Sequence, residues 1–161
     1  MSGRLTVLAI LLIGAVIACH ADLLEPSAQT IAGRWRRASE PLSPMGQNVK
    51  TLELTIDGHY AVISESRGVY VQLPADSAGS ITREYGTYVV TRNNLHFNED
   101  SLRTWDYLSG TSFHAGPAGI YIEGPPTDPT VELTPTQLTL RYSVNPGGGY
   151  VPVIERYDRD R

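Results

Sequence analysis

The sequence predicts an all-β domain, an antiparallel up-and-down meander of eight to eleven short strands that closes into a small barrel. From Ile31 onward, short apolar alternations are broken by Gly, Pro and Asn, which is typical of antiparallel strands joined by turns. The 15 glycines and 11 prolines interrupt the chain too often for long helices. The alternations gather apolar residues on one face of the meander, and closure into a barrel buries that face.

Each strand is predicted where an alternation runs between two turn signals. Counting these segments gives eight to eleven strands, a number that suits a small closed barrel, with an open sandwich as the alternative. The segments lie near residues 31–38, 50–56, 59–64, 68–73, 84–92, 95–98, 104–108, 119–123, 130–134, 137–144 and 150–157.

The first hairpin is predicted at Asp57-Gly58, a dipeptide that favours two-residue turns. A turn there pairs Leu54 with Ala61. Leu54 then faces the core, whereas Tyr60 and Val62 face outward. A slip of one residue in this register would exchange the two faces.

Two further turns gather the remaining aliphatic residues on the inner face. Asn93-Asn94 predicts a hairpin in which Val90 lies opposite Phe97, and residues 134–137 predict another in which the flanking leucines pair. The predicted inner set is large and apolar, which favours a filled interior. It consists of Leu52, Leu54, Ile56, Ile63, Val90, Leu95, Phe97, Val131, Leu133, Leu138 and Leu140.

The N-terminal residues predict export and lipid attachment. Residues 1–18 contain an apolar run of about 14 residues, too short to span a hydrocarbon core of roughly 30 Å and typical of a secretory signal peptide. The end of the run, Val16-Ile17-Ala18-Cys19, resembles the lipobox of bacterial lipoproteins. The resemblance implies three acyl chains on Cys19, enough for stable membrane attachment. His20, where that family uses Asp for inner-membrane retention, implies the periplasmic side of the outer membrane.

Composition limits the organisation and the partners of the chain. Residues 19–30 lack strand alternation and predict a lipidated tether with one short helical turn, so the folded domain is expected at residues 31–161. A net charge of −4 without basic blocks argues against nucleic-acid binding. The single cysteine excludes an internal disulfide and a zinc site of paired thiolates.

Two short motifs resemble the bacterial lipocalin-like domains. Gly33-Arg34-Trp35 matches the G-x-W of their first strand, and Asp57-Gly58-His59-Tyr60 matches their next hairpin. The resemblance covers roughly residues 31–158 and implies that Gly33 and Trp35 form a structural plug at the closed end of the barrel. It also implies an arginine from the last strand stacked on the indole. Arg156 is the best match for this arginine and Arg159 is the alternative.

No residue pattern predicts catalysis, a metal or a cofactor. Gly110-Thr111-Ser112-Phe113-His114 begins like a nucleophile elbow but has His in place of the second Gly. His96 alternates with apolar neighbours and is expected in solvent, although together with Asn98 and Asp100 it would share one strand face as a mixed metal site. We therefore predict a protein that is not an enzyme and has neither a metal site nor a cofactor.

Tyrosine supplies the candidate ligand contacts. There are nine tyrosines against two Phe and two Trp. An aromatic ring with a hydroxyl suits a surface that is partly apolar and partly exposed to water. Tyr88 and Tyr142 fall on the predicted inner face and are the ligand candidates. The function predicted is a lipid-anchored envelope lipoprotein whose barrel binds a small apolar or amphipathic ligand. The alternative is a lipoprotein with a filled barrel that binds a protein partner as an inhibitor, immunity factor or assembly accessory.

Overall fold

The computed structural model describes residues 23–37, 40–41, 46–69, 73, 77–108, 110–115, 128–145 and 148–160. The predicted signal peptide, Cys19 and the predicted strand at 119–123 lie outside these residues. Within these ranges no helix is both long and apolar enough to cross a bilayer. The elements are α1 (Ala28–Ile31), β1 (Gly33–Arg37), β2 (Glu40–Pro41), β3 (Gln47–Leu54), β4 (His59–Arg67), β5 (Ala78–Thr91), β6 (Asn94–Asp106), β7 (Gly110–Ala115), β8 (Thr130–Leu133), β9 (Gln137–Val144) and β10 (Val151–Arg159).

Eight antiparallel strands close into an up-and-down β-barrel, which confirms the predicted fold class. The order around the barrel is β1, β10, β9, β8, β6, β5, β4 and β3, and β1 closes it by also pairing with β3. At the closing strand, Trp35 lies opposite Arg159 on one side and Leu52 on the other. The strands β2 and β7 extend the sheet beside β3 and β6.

The barrel has two ends that differ in their turns. What we call the closed end carries α1 and the β3–β4, β5–β6 and β8–β9 turns. The far end is where β1 and β4 finish and where β5 and β10 begin. The predicted strands at 95–98 and 104–108 form one continuous strand, β6, because its pairing with β5 continues past an irregularity at Tyr85/Gly86.

The first hairpin is one residue out of the predicted register. Its loop has three residues, 56–58, closed by a hydrogen bond from the Thr55 amide to the His59 carbonyl at 2.9 Å. Gly58 adopts a φ of +86°, which the left-handed position of such a loop favours. Leu54 therefore pairs with Tyr60, and the predicted outward face of β4 is its inner face. The predicted core position of Ile56 is also wrong, because this side chain is 64% exposed at the loop tip.

The other two hairpins keep their predicted faces. The β5–β6 turn occupies Arg92-Asn93, with Val90 opposite Leu95 and not Phe97. This shift changes the partners by two residues and leaves the inner face unchanged. The β8–β9 hairpin pairs Leu133 with Leu138, which confirms the predicted register.

The segment before β1 packs on the barrel and does not form a tether from residue 24 onward. Leu24 bridges to Leu133, with its amide 2.8 Å from that carbonyl. Ser27 caps α1 by accepting a hydrogen bond from the Thr30 amide, and Ile31 at its end is fully buried. The folded unit thus starts before the predicted boundary at Ile31, because Leu24 and Ile31 bury apolar surface against the closed end.

Candidate functional site

The closed end is plugged by Trp35, which is 0% exposed. Its Nε1 donates a hydrogen bond of 2.8 Å to the Ile31 carbonyl of α1. The Arg159 guanidinium carbon lies 4.4 Å from the indole centroid, and its Nη2 donates to the Thr30 carbonyl at 2.9 Å. Gly33, which starts β1, has a φ of +145°, a conformation that side chains disfavour. Indole, guanidinium and α1 therefore form one stacked cap.

The arginine on Trp35 is Arg159, so the preference for Arg156 was wrong. Side chains alternate along a strand, and Glu155 and Tyr157 of β10 face inward. Arg156 between them is exposed, whereas Arg159 has the inward parity. The register also sets Arg159 directly opposite Trp35.

Tyr88 lies in the packed interior towards the closed end, not at a ligand mouth. It is 4% exposed, and its hydroxyl donates a hydrogen bond of 2.6 Å to the Thr55 carbonyl. Its amide holds the β3–β4 loop through a bond of 2.7 Å to the Gly58 carbonyl. Burial raises the pKa of this hydroxyl. Tyr88 is thus a core residue that fixes a turn.

Tyr142 lies towards the opposite end of the interior. It is half-buried, shares the inner parity of Leu138 and Leu140, and pairs with Val153 near the start of β10. Tyr88 and Tyr142 therefore do not form one site, although both lie on the inner face. Tyr142 belongs with the polar side chains of the far half.

A layer of charged side chains crosses the interior between the two ends. We call it the polar layer, and its centre is Glu155, which is 3% exposed. One oxygen of this carboxylate accepts hydrogen bonds from Arg37 Nη1 at 2.7 Å and Lys50 Nζ at 3.2 Å. The other oxygen accepts from the Tyr157 hydroxyl at 2.8 Å. Burial, and then the Glu155 charge, raises the pKa of Tyr157. The polar layer consists of Arg37, Lys50, Tyr60, Glu84, Glu155 and Tyr157.

The second carboxylate of the polar layer is Glu84, which is 5% exposed. The Tyr60 hydroxyl donates to it at 2.5 Å. Burial is the main cause that raises the pKa of Glu84; the Tyr60 hydrogen bond and the Lys50 charge oppose the shift, and the Glu99 charge adds to it. Gly86 leaves room for the Tyr60 ring, since an added Cβ would lie 2.7 Å from its edge. Burial likewise raises the pKa of Tyr60, with Glu84 as the next cause.

Beyond the polar layer the inward side chains of β4 and β5 are small and polar. Along β4 the inner face changes from Tyr60 and Val62 to Ser64 and Ser66, which lie opposite Thr82 and Ser80 of β5. The far half therefore combines buried charge with small hydroxyl side chains, the composition typical of a lined site and not of a filled core. The small inner residues here are Ser64, Ser66, Ser80, Thr82 and Thr104.

Sequence reasoning missed the polar layer, although strand parity carried a signal. Lys50 shares the parity of Leu52 and Leu54, and Glu155 shares that of Tyr157. A charged residue in phase with core residues must be buried or must distort the strand. Glu84 carries the same signal, because it shares the parity of Tyr88 along β5, and Tyr88 is predicted on the inner face.

A groove of about 200 Å³ lies on the outer face of β1, β3, β4 and β5. Arg36, Thr51, Ile63 and Arg83 form one row across these four strands. The groove's other arginines, Arg34 and Arg67, are paired with carboxylates. Arg36 and Arg83 contact no carboxylate among the residues that the structure describes. The row thus sets two unpaired guanidinium groups on either side of a short floor.

The residues considered for a metal do not assemble a site in the part of the chain that the structure describes. His96, Asn98 and Asp100 are all exposed, and His96 Nδ1 contacts the Asp128 carboxylate. Across the described ranges, no three His, Cys, Asp or Glu side chains converge as metal ligands would. The side chains of 111–115, including Ser112 and His114, lie outside the described part of the chain.

Comparison of the whole chain with known protein families finds no family model that it matches, and no characterised protein has significant sequence similarity to it. The barrel and its lining are therefore the features from which a function can be inferred. An eight-stranded up-and-down barrel with one plugged end is consistent with a lipocalin-like binding fold.

Proposed function

We propose that the protein is a lipid-anchored lipoprotein of the bacterial cell envelope whose barrel binds one small amphipathic ligand in its far half. The observation that carries the proposal is the change along the inner face of β4, at the polar layer, from the large Tyr60 and Val62 to the small Ser64 and Ser66. If these inward positions served only to stabilise the barrel, apolar side chains there would be more favourable than polar and charged ones.

The lining defines the chemical class of the ligand. The closed half is filled by Trp35 and the aliphatic core, so the ligand enters the far half. There, Ser64 and Thr82 offer hydroxyl groups beside the cations and carboxylates of the polar layer. A ligand with a polar group facing this layer and a short apolar part near Tyr142 matches both features. In this proposal Tyr142 contacts the ligand and Tyr88 does not.

The membrane anchor of the proposal is Cys19, outside the described residues. Cys19→Ala should abolish incorporation of labelled fatty acid and leave a precursor that is not cleaved, because the lipobox cysteine is both the acceptor and the cleavage-site residue. Pulse labelling followed by electrophoresis measures both. A Cys19→Ala chain that still takes up fatty acid, or is processed at the same place, would contradict the anchor.

Ligand binding can be tested with the chain from His20 to Arg161, which keeps every residue that the structure describes. We expect saturable one-to-one binding of a fluorescent short-chain fatty acid, competed by unlabelled amphiphiles. Ser64→Leu should weaken the affinity about tenfold or more, since overfilling a packed site costs about 1–3 kcal/mol.

The matched control is Thr130→Leu, an exposed and outward-facing position on β8. It should bind the fluorophore as the unchanged chain does. Absence of binding across fatty acids, short-chain amphiphiles and quinones would refute the ligand-binding proposal. Equal binding by the Ser64→Leu and Thr130→Leu variants would indicate that the ligand binds outside the far half.

The outer groove favours a second function, the recognition of an acidic segment of a protein partner. Arg36 and Arg83 are separated by three strand spacings, which is about 14 Å between their backbones. The whole chain carries a net charge of −4, so this pair of unpaired cations stands out from the overall charge. An acidic peptide laid across Thr51 would contact both guanidinium groups.

Anisotropy of a labelled oligoglutamate peptide tests this second function. Arg36→Gln and Arg83→Gln should each weaken binding, and added salt should weaken it further. Arg156→Gln removes the same charge from an exposed position outside the groove and serves as the control. Equal losses in all three variants would indicate a general charge effect and count against a groove-specific partner.

A further inference from the structure

We propose that the closed end of the barrel docks onto the lipid bilayer through Leu23, Ile56 and Val89, so that the far end points into the aqueous phase. The proposal rests on the lipid anchor at Cys19 proposed above. It adds which surface of the barrel the membrane covers and from which side a ligand enters.

Three large aliphatic side chains of this end are exposed. Leu23, Ile56 and Val89 are 66%, 64% and 61% exposed. Ile56 lies at the tip of the β3–β4 loop and Val89 on the outer face of β5. The Tyr88–Gly58 backbone hydrogen bond fixes that loop against β5. Exposed aliphatic groups held in fixed positions at one end of a domain have the property that an interfacial membrane contact needs.

Two of the exposed residues, Ile56 and Val89, border a groove of about 430 Å³ at the same end. Ile56 and Val89 line it together with Pro26, Tyr88 and Val90. Pro26 belongs to the segment that leads from the N-terminal residues into α1. The groove therefore lies beside the path by which the chain reaches the barrel.

The short length of chain between Cys19 and Leu23 indicates that the membrane covers this surface. Cys19 precedes Leu23 by four positions, and an extended chain spans at most about 3.6 Å per residue, so the acylated residue lies within about 14 Å of Leu23. Leu24 is bonded to Leu133 at the closed end. An anchor this short holds the closed end against the membrane surface, whichever way the barrel turns about it.

A charged residue next to Ile56 limits how deeply this end enters the bilayer. Asp57 stands beside Ile56, and its hydrogen bond with Thr55 is the main cause that lowers the pKa of its carboxyl. An ionised carboxylate stays at the level of the headgroups. Ile56 and Val89 are thus expected at the boundary between the headgroups and the acyl chains, with Asp57 on the water side.

The single cysteine makes the orientation measurable. Because Cys19 is the one cysteine of the chain and its thiol is consumed by acylation, an introduced cysteine is the one thiol that a dye can label. We would label Ile56→Cys and Val89→Cys in the full acylated protein. The control positions are Leu108→Cys and Tyr150→Cys, which are 73% and 79% exposed in far-end loops.

The protein is reconstituted into vesicles of phosphatidylethanolamine and phosphatidylglycerol that carry a nitroxide on the lipid acyl chain. The dye at Ile56 and Val89 should shift its emission to the blue and lose intensity to the nitroxide lipid. The dye at Leu108 and Tyr150 should do neither.

Each other outcome overturns a stated part of the proposal. Equal quenching at both ends, or none at either end of the anchored protein, overturns the docking alone. A blue shift at Ile56 and Val89 without quenching assigns the surface to a second copy or another protein. A chain that takes up dye at Cys19 and stays out of the vesicles overturns the anchor and the docking together.

Discussion

The two halves of the barrel interior have opposite chemistry although the same strands build both. In the closed half, Trp35, Leu52, Tyr88 and Leu140 pack with few polar contacts, and those that exist go to the backbone. In the far half, Glu155 is buried among cations and a tyrosine hydroxyl. Burying charge costs free energy that good geometry only offsets, so the far half is not explained by stability alone. This contrast is the basis for our proposal that one end of the barrel stabilises the fold and the other binds a ligand.

The largest expected effect comes from creating a cavity in the closed half of the barrel. Trp35→Ala should destabilise the protein by about 3–5 kcal/mol, since it leaves a large cavity under α1 and removes the partner of Arg159. Denaturant unfolding followed by circular dichroism measures the free energy of unfolding. Trp105→Ala is the matched control, because that indole is only half-buried and lies outside the core cluster. Equal losses of unfolding free energy in the two variants would mean that the closed end does not contribute more to stability than a half-buried position outside the core.

The second prediction concerns the buried charges of the far half, which are removed by substitution. Glu155→Gln keeps the side-chain size but leaves Lys50 without a counter-charge, and it should cost about 1.5–3 kcal/mol. Replacing Lys50 and Glu155 together by Met should recover part of that loss, because it removes the desolvation cost of both charges, although Arg37 and the Tyr157 hydroxyl still lose the carboxylate. Chemical unfolding of the three proteins gives the comparison. A double variant less stable than Glu155→Gln would mean that the ion pair is needed for folding.

The sequence allowed the fold class to be predicted because alternation and turn residues are local signals. The register was less predictable. An error of two residues at Arg92-Asn93 left the inner face correct, whereas an error of one at Gly58 turned Tyr60 and Val62 from inside to outside. Loop length decides between these cases, and a dipeptide such as Asp57-Gly58 occurs in loops of two and of three residues.

The site was less predictable than the fold because its residues meet only after closure. Glu155 and Lys50 are 105 residues apart in the chain, and their contact depends on β1 joining β10 to β3. The choice between Arg156 and Arg159 required the register of the closing strand, which no hairpin turn fixes. Strand parity alone can mark a charged residue as inward, but it cannot name the partner.

The third prediction tests the cap on Trp35. Arg159→Ala should cost about 0.5–2 kcal/mol through loss of the cation–π contact and of the hydrogen bond to α1. Arg156→Ala removes an exposed arginine of the same strand and should change the free energy of unfolding by less. Tryptophan emission gives a second readout, since only Arg159 touches the indole. If Arg156→Ala proves the more damaging of the two, the assignment of the stacking arginine is wrong.

The last and smallest effect is a pH dependence of the free energy of unfolding. It should differ in sign between the buried Glu84 and the exposed Glu132. Burial raises the pKa of Glu84 above its ordinary value of 4.5, so the folded protein holds this proton more tightly than the unfolded chain does. The contribution of Glu84 to stability is therefore greatest at low pH. It falls as the pH rises from about the unfolded pKa through the higher native pKa, with a slope below about 1.4 kcal/mol per pH unit for one proton. Glu84→Gln cannot titrate, so the stability of the unchanged chain relative to this variant should decline over that window and then level off.

Glu132 provides the control of opposite sign for the same measurement. The hydrogen bond from Arg141 is the main cause that lowers the pKa of Glu132, so its contribution to stability should be lost as the pH falls through that lowered pKa. Unfolding curves collected between about pH 3.5 and pH 8 for the unchanged chain, Glu84→Gln and Glu132→Gln should therefore diverge in opposite directions, with the Glu132 effect reduced by solvent and salt. Parallel curves for the unchanged chain and Glu84→Gln would mean that water reaches this carboxylate freely. The polar layer would then be part of an open, solvated interior, and the contrast between the two halves would be one of solvent access and not of buried charge.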